Sequence, residues 1–467
     1  MADNYYFVED LVSAGNTRVL NDDGTGLDWL IFRSSHDSNA ISLSWWSVNG
    51  IRTEGQSVFF DGDDVFSRLI VRGLIENARG ADGDDWIRGN EASNILYGDT
   101  TASNSMGGED TLDGAEGNDT IYAGFGRDEV EGGTGNDMLY GNAGNDTIAG
   151  GLGRDTVDGG TGADALSGGG DAGDLLTYAE SSAAVRLSLT VGATTIGSGG
   201  DAAGDQVNGF LNLTGSAYGD ALTDTISTTL QLNANANLFD GGNGNDTLTM
   251  GGGNDTALGG AGNDSIDGGE GNDSLNAGTG DDMVLGGEGN DSVNAGIGRD
   301  VVFGGSGNDT VIGGLGTDQL SGGAGDDRID GGDGSDTLSG DAGNDVLISF
   351  LGTDRMTGGA GADRFVFVNV YDSSAGAGFD TITDFKHSEG DRIDLSGIDA
   401  NYTAAGDAAF RFLGAAAFTG AGAELRISAT ATGWRVLGDL DGDRTADFIL
   451  TLTGTAMPAL VAGDFLL

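Results

Sequence analysis

No cysteine occurs in the 467 residues, proline appears once, and the only lysine is Lys386. The absence of cysteine excludes disulfides, thiol nucleophiles and thiolate zinc sites. There are two histidines, His36 and His387, and neither lies in a His-Glu-x-x-His motif, so a zinc protease centre of that type is excluded. Basic residues are scarce, with 20 Lys and Arg against 74 Asp and Glu and a formal charge of −54. Nucleic acid and anionic membranes both require cationic surface, so neither is an expected partner. Apolar runs of the roughly 18 residues a membrane helix needs are missing, so no transmembrane segment is expected. The start, Met1-Ala-Asp-Asn-Tyr-Tyr-Phe-Val-Glu-Asp10, has neither a basic nor a long apolar stretch and reads as no Sec-type signal peptide. There is no Gly-x-Ser-x-Gly elbow and no Gly-Lys-Ser/Thr phosphate loop. The two histidines read as surface residues.

Glycine, by contrast, is abundant at 90 residues, but not at every third position, so collagen is excluded. Low hydrophobicity with high charge normally signals disorder. Periodicity overrules that reading, because Gly and Asp keep a nine-residue beat. From Gly241 onward, aspartate falls at the sixth place of successive units: Asp246, Asp255, Asp264, Asp273, Asp282, Asp291, Asp300, Asp309, Asp318, Asp327, Asp336, Asp345, Asp354 and Asp363. An earlier block repeats the pattern with Asp110, Asp119, Asp128, Asp137, Asp146, Asp155 and Asp164. Two places after each stands one apolar residue, such as Leu112, Ile121, Leu275, Val293 or Phe365. Degenerate units lead in: Asp85 with Ile87, Asn94 with Leu96, and Asn237 with Phe239.

The unit Gly-Gly-x-Gly-x-Asp-x-U-x, with U apolar, divides into a tight glycine turn and a three-residue strand whose central side chain points inward. Two units make an 18-residue coil, and stacked coils form two parallel sheets over a thin core. Aspartates i and i+18 then share an edge, about one strand spacing (~4.8 Å) apart. Such a carboxylate ladder is repulsive unless a cation sits between its rungs. Carboxylates and turn carbonyls without His or Cys suit Ca²⁺ better than a transition metal or Mg²⁺. One small apolar residue per nine is also a meagre core, so metal is expected to hold the coils together. The 21 regular aspartates together with Asp85 are the candidate ligands.

These units resemble the RTX (repeats-in-toxin) nonapeptide of secreted bacterial proteins, a calcium-binding β-roll repeat. The expected fold is all-β: a parallel β-roll with a non-repetitive N-terminal β cap and a C-terminal sandwich-like β module. Five segments follow: a cap at 1–78, a first roll at 79–170, a β insert at 171–236, a second roll at 237–366 and a final module at 367–467. The cap contains the strand-like runs Trp29–Phe32, Ile41–Trp46, Ser57–Phe60 and Leu69–Val71. Residues 27–90 resemble the segment joining a serralysin protease domain to its roll, and residues from about 361 onward resemble the serralysin C-terminal domain. Arg364–Val368, Asp380–Phe385, Asp391–Leu395, Gly433–Leu437 and Asp447–Leu452 are read as strands of an antiparallel module. The ending Asp464-Phe-Leu-Leu467 resembles the uncleaved signal read by type I exporters, which implies that secretion machinery as a partner and an extracellular location.

Departures from the repeat carry expectations of their own. Ala257 should thin the core, and Ser349-Phe-Leu351 in place of Gly-Gly-x should malform its turn or leave it without metal. Ala277 and Ala295 at the first glycine place are milder changes, and Arg127, Arg154 and Arg299 should face outward as partial counter-charges. Asp439, Asp441, Asp443 and Asp447 form half of a calcium-loop pattern or a solvated acidic turn. The resulting reading is a secreted, non-enzymatic calcium-binding protein that folds on Ca²⁺ after export. Two alternatives stand beside it: a calcium-dependent surface or matrix component using cell-surface glycan or self-assembly, and a polysaccharide-active enzyme.

Overall fold

In the computed structural model the backbone is described for strands Asn4–Glu9, Asp28–Arg33, Ser67–Ile70 and Asn77–Arg79. Full description covers residues 80, 84–99, 107–169, 173–189, 193–224, 236–373, 379–400, 408–454 and 459–467. The expected strands Ile41–Trp46 and Ser57–Phe60, and His36, lie outside the described residues. Two units divide the chain, Met1–Ile226 and Ser227–Leu467. Among the described residues there is no α-helix, only strands and short 3-10 turns.

The nine-residue beat becomes a parallel ladder in each unit. In the second unit, Ser274–Thr279, Ser292–Gly298, Thr310–Gly316 and Arg328–Gly334 pair parallel at a spacing of eighteen, so that Leu275, Val293, Val311 and Ile329 stack in line. The intervening strands Met283–Glu288, Val301–Ser306, Gln319–Ala324 and Thr337–Ala342 form the facing sheet in the same way. In the first unit, Thr120–Gly126, Met138–Gly144 and Thr156–Asp158 build one sheet, and Glu129–Thr134, Thr147–Leu152 and Ala165–Ser167 the other. Side chains alternate between the two faces of a strand, and the U residues fill the interior: Ile121, Leu139, Leu275 and Leu338 are all 1 % exposed or less. Ala257 is buried too, and in its stack it lies between Phe239 and Leu275, whose bulk offsets its small volume.

Both ends of the first roll are continued by irregular coils. Strands of the N-terminal region join the sheets in parallel, Trp29 beside Asn77 and Leu69 beside Ile87. In the insert, Leu175–Thr177, Gln206–Asn208 and Asn212–Thr214 extend the sheets in parallel. At the C-terminal end the structure corrects the expected strand directions. Arg364–Phe367, Thr381–Ile382 and Arg392–Asp394 are parallel roll strands, and only Glu424–Ala429, Gly433–Asp439 and Phe448–Thr453 form an antiparallel meander. The meander joins the roll through Phe448–Thr453, parallel to Thr381–Ile382. The tail strand Phe465–Leu466 adds in parallel to Arg392–Asp394.

The turn at Ser349 also departs from expectation. Gly334 N–H reaches Leu351 O at 2.8 Å, and Asp336 N–H reaches the Asp354 carboxylate at 2.8 Å, so the turn keeps its place in the ladder without the glycine pair. What the ladder requires is backbone shape at Gly352 and the aspartate, not the first two side chains.

Candidate metal centres

Each edge of the rolls is a row of turns, and each turn delivers its aspartate inward. All 22 candidate carboxylates are buried, the most exposed being Asp85 at 6 %. They are joined one coil apart: the N–H of Asp110 donates to Oδ1 of Asp128, Asp119 to Asp137 and Asp128 to Asp146, at 2.7–2.8 Å. The second roll repeats this from Asp246 to Asp363 with no break, through Asp264–Asp282, Asp291–Asp309 and Asp327–Asp345. The lead-in units take part as donors, Asp85 to Asp110, Asn94 to Asp119 and Asn237 to Asp255. One oxygen of each rung therefore accepts a backbone N–H, which offsets part of the repulsion that the spacing alone implies.

The second oxygen is different. Oδ2 of Asp110, Asp119, Asp128, Asp137, Asp146 and Asp164 is buried with no hydrogen-bond donor, as is that of Asp264, Asp273, Asp282, Asp291, Asp300, Asp309, Asp318, Asp327, Asp336, Asp345, Asp354 and Asp363. A buried polar atom without a partner costs about 1–3 kcal/mol, and more when charged. A row of them, repeated on every coil, demands a positive partner or a proton. Burial pushes these carboxyl groups up, opposed by the N–H bond and aided by the neighbouring aspartates: Asp110 to about 9, Asp164 to about 8, Asp273 and Asp336 to about 7, and Asp264 and Asp291 to about 6.

Turn carbonyls complete an all-oxygen lining. At the fourth place of the unit a side chain cannot fit: a methyl on Gly307, whose φ is +124°, would stand 1.9 Å from Gly289 O. A methyl on Gly141 would lie 2.4 Å from Gly159 O and 2.7 Å from Asp146 Oδ2, so both oxygens face one small space. Carboxylate and carbonyl oxygens without nitrogen or sulfur form a donor set for a hard cation. The residues present fit Ca²⁺.

Two further sets of residues complete these edges. The fifth place, where Asn is the commonest residue, forms an outer ladder of opposite sense, in which the side chain of one coil accepts the N–H of the next, as in Asn118 from Asn136, Asn254 from Asn272 and Asn308 from Asp326, at 2.8–2.9 Å. Where Arg299 takes that place, it pairs with exposed Asp281 at 3.0 Å, in line with an outward counter-charge. Carboxylates outside the strict repeat also take rung positions: Asp174 accepts from Asp155, Asp205 from Asp164, Asp380 from Asp354 and Asp391 from Asp363. Their shared signal is Asp-x-apolar, as in Asp205-Gln-Val207 and Asp391-Arg-Ile393, without the glycine spacing.

Asp439, Asp441 and Asp447 bring carboxylate oxygens within 4.8 Å of one another, and Asp443 is not among them. The turn holds itself: Asp439 accepts from Gly442 and Arg444 N–H, and Asp447 from Leu440 N–H. His387 Nδ1 contacts the buried carboxylate of Asp464 and so ties the tail to the loop after Phe385.

Known proteins share these features. Residues 75–100, 105–139, 140–175, 218–257 and 249–284 match the RTX calcium-binding nonapeptide repeat. Residues 274–467 match the family described as Peptidase M10 serralysin C terminal. No curated protein matches the chain. Among solved structures, the AlgE6R3 subunit of the Azotobacter vinelandii mannuronan C5-epimerase is 30 % identical, with a TM-score of 0.25 over 33 % of this chain and 80 % of that one. The AlgE6R2 subunit of the same enzyme is 28 % identical, with a TM-score of 0.24 over 32 % and 88 %. The chain thus carries RTX calcium-binding nonapeptide repeats in segments between 75 and 175 and between 218 and 284, and a serralysin C-terminal domain at 274–467.

Proposed function

We propose that this chain is a secreted calcium-binding protein, exported by a type I machinery that reads its C-terminus, which completes its fold when several Ca²⁺ ions bind the aspartate ladders. Asp85 and the 21 regular aspartates are the side-chain ligands in this reading, and the chain itself is not a catalyst. The buried rows of donorless Oδ2 atoms carry the reading, because they repeat a negative charge that none of the protein's hydrogen-bond donors meets. Calcium, when bound, supplies the missing positive charge.

Extracellular calcium modules operate at dissociation constants of about 10⁻⁴–10⁻³ M, far above cytosolic free calcium. Inside the cell the rungs would repel one another and the chain would stay open enough to thread. Outside, binding to the folded state alone would draw the equilibrium over by mass action. The match to the serralysin C-terminal domain supports export by this route.

Circular dichroism and sedimentation in chelator and in millimolar calcium test the reading. The expected result at neutral pH is an expanded coil without calcium and a compact β protein with it, joined by a cooperative transition. A chain equally folded in both would overturn it. For export, removing residues 367–467 is expected to retain the protein inside a host that carries a type I exporter.

A further inference from the structure

Not every rung has an orphaned oxygen, and the exceptions lie where the ladders end. In the first unit, Asp205 Oδ1 takes the Asp164 N–H at 2.9 Å, and its Oδ2 takes the phenol of Tyr178 at 2.9 Å. Tyr178 is 1 % exposed, so its hydroxyl is committed to this one acceptor. Asp220, which receives its N–H from Val185 and not from a rung aspartate, is filled in a similar way: Oδ1 takes the Val185 N–H at 2.6 Å, and Oδ2 takes the Ser216 N–H at 2.5 Å. The Ser216 hydroxyl donates to the same carboxylate at 2.8 Å.

The second unit ends in the same manner with different groups. Asp391 Oδ1 takes the Asp363 N–H at 3.1 Å, and Oδ2 takes the Lys386 N–H at 2.7 Å. The ammonium of Lys386 then donates to Gly359 O at 3.1 Å. Gly359 holds the second place of the last regular unit, and the chain's single lysine sets its charge on that carbonyl. In preceding coils the equivalent carbonyl faces the next turn: a methyl on Gly323 would stand 2.0 Å from Gly305 O.

We propose that Asp205 and Asp391 are closing rungs that take no cation, because a buried phenol and a lysine loop occupy the places that ions serve along the rolls. The inference rests on the calcium reading above and concerns where occupancy stops. At these two ends the ladder hands over from metal to protein: both oxygens of Asp205 and of Asp391 receive donors, so the next irregular coil stacks without an ion, whereas Asp380, last on the other edge of the second roll, keeps a buried donorless Oδ2. Fitting an ion there would require displacing a buried phenol in one unit and a lysine loop in the other, each already hydrogen-bonded. The closing groups also explain why the insert and the C-terminal module drop the glycine spacing while keeping Asp-x-apolar. The aspartate still receives the N–H of the coil before it, but no turn carbonyls are needed around it.

Calcium per chain, measured by inductively coupled plasma mass spectrometry after gel filtration in saturating calcium, tests this on the full-length protein. Asp205→Asn and Asp391→Asn are each expected to hold as many ions as wild type, whereas Asp300→Asn, in the middle of the second roll, loses at least one. Loss of an ion from either closing-rung variant overturns the proposal. If either variant fails to fold, Tyr178→Phe keeps the Asp205 carboxylate and removes its phenol donor, and Lys386→Met frees the Gly359 carbonyl of the ammonium while the backbone N–H stays on Asp391. An unchanged or higher count in these supports the proposal, and a lower count overturns it. An unchanged count in Asp300→Asn would instead sink the ladder reading itself, a failure recognisable because it occurs away from the ends.

Discussion

Held in chelator at pH 8, the protein is expected to show the circular dichroism of coil, and acidification to pH 5 should restore β signal with no metal present. The rungs have carboxyl groups whose ordinary value is 3.8, and burial lifts them in the folded state, Asp110 to about 9, Asp119, Asp128 and Asp327 to about 7, and Asp137 and Asp300 to about 6. Between those values and 3.8 the folded metal-free chain binds more protons than the unfolded one. Its stability therefore falls as pH rises. The contribution is fully present below about 3.8 and is lost as pH climbs through 6 to 9. Calcium requires the ionised oxygens, so proton and metal compete for one set of atoms, and the calcium needed at saturation rises as pH falls. The difference between chelated and calcium-loaded protein should shrink on going from pH 8 to pH 5. A β signal in chelator that instead grows with pH would contradict the arrangement of orphaned carboxylates described above.

A methyl group at the fourth place of the unit should be the most damaging single substitution in the rolls. In Gly307→Ala the residue keeps a φ of +124°, and its methyl meets Gly289 O at 1.9 Å, a separation no carbon can hold. Left-handed strain alone costs about 1–3 kcal/mol, and parting two coils breaks parallel hydrogen bonds as well. A loss above about 3 kcal/mol in calcium-saturated urea unfolding is expected. Gly313→Ala is the matched control. It continues the row of Ala277 and Ala295 and has no positive φ, but its methyl would meet Gly331 O at 2.6 Å and Asp318 Oδ2 at 2.7 Å, so its loss should fall below that of Gly307→Ala only by the left-handed strain, about 1–3 kcal/mol. Equal losses at Gly307 and Gly313 would show that the left-handed backbone at the fourth place does not add to the cost of close approach.

The roll was legible in the sequence because its cause is periodic. One apolar residue and one aspartate per nine determine which side chains face inward, and a spacing of eighteen determines which coils touch, as Leu275 on Val293 shows. The inward aspartates were visible for the same reason. Their hydrogen bonds were less so: spacing shows that Asp110 and Asp128 are neighbours but not that the N–H of one meets the carboxylate of the other. The outer ladder at the fifth place escaped notice because Asn there looks like ordinary turn chemistry. Asp174, Asp205, Asp380 and Asp391 were missed because loops of varying length separate them from their partners, 41 positions in the case of Asp164 and Asp205. Strand direction at the C-terminal end failed for a related reason. A run such as Arg364–Phe367 is apolar on alternate residues whichever way its neighbour points, and only the fold reveals that the neighbour is Arg392–Asp394.

The two hydrogen-bonded ladders run in opposite senses. A rung aspartate reaches back to the coil before it, and a fifth-place asparagine reaches forward to the coil after it. Where the fifth place is Asn or Asp, a coil thus presents the same pair of contacts at its front as its successor does, and is interchangeable with it. Such a chain can lengthen or shorten by eighteen residues while every junction stays as it was. A gain or loss of nine would exchange the two sheets downstream and misplace whatever follows. Duplication and deletion in this protein are therefore expected to come in whole coils, with the closing segments carried along intact.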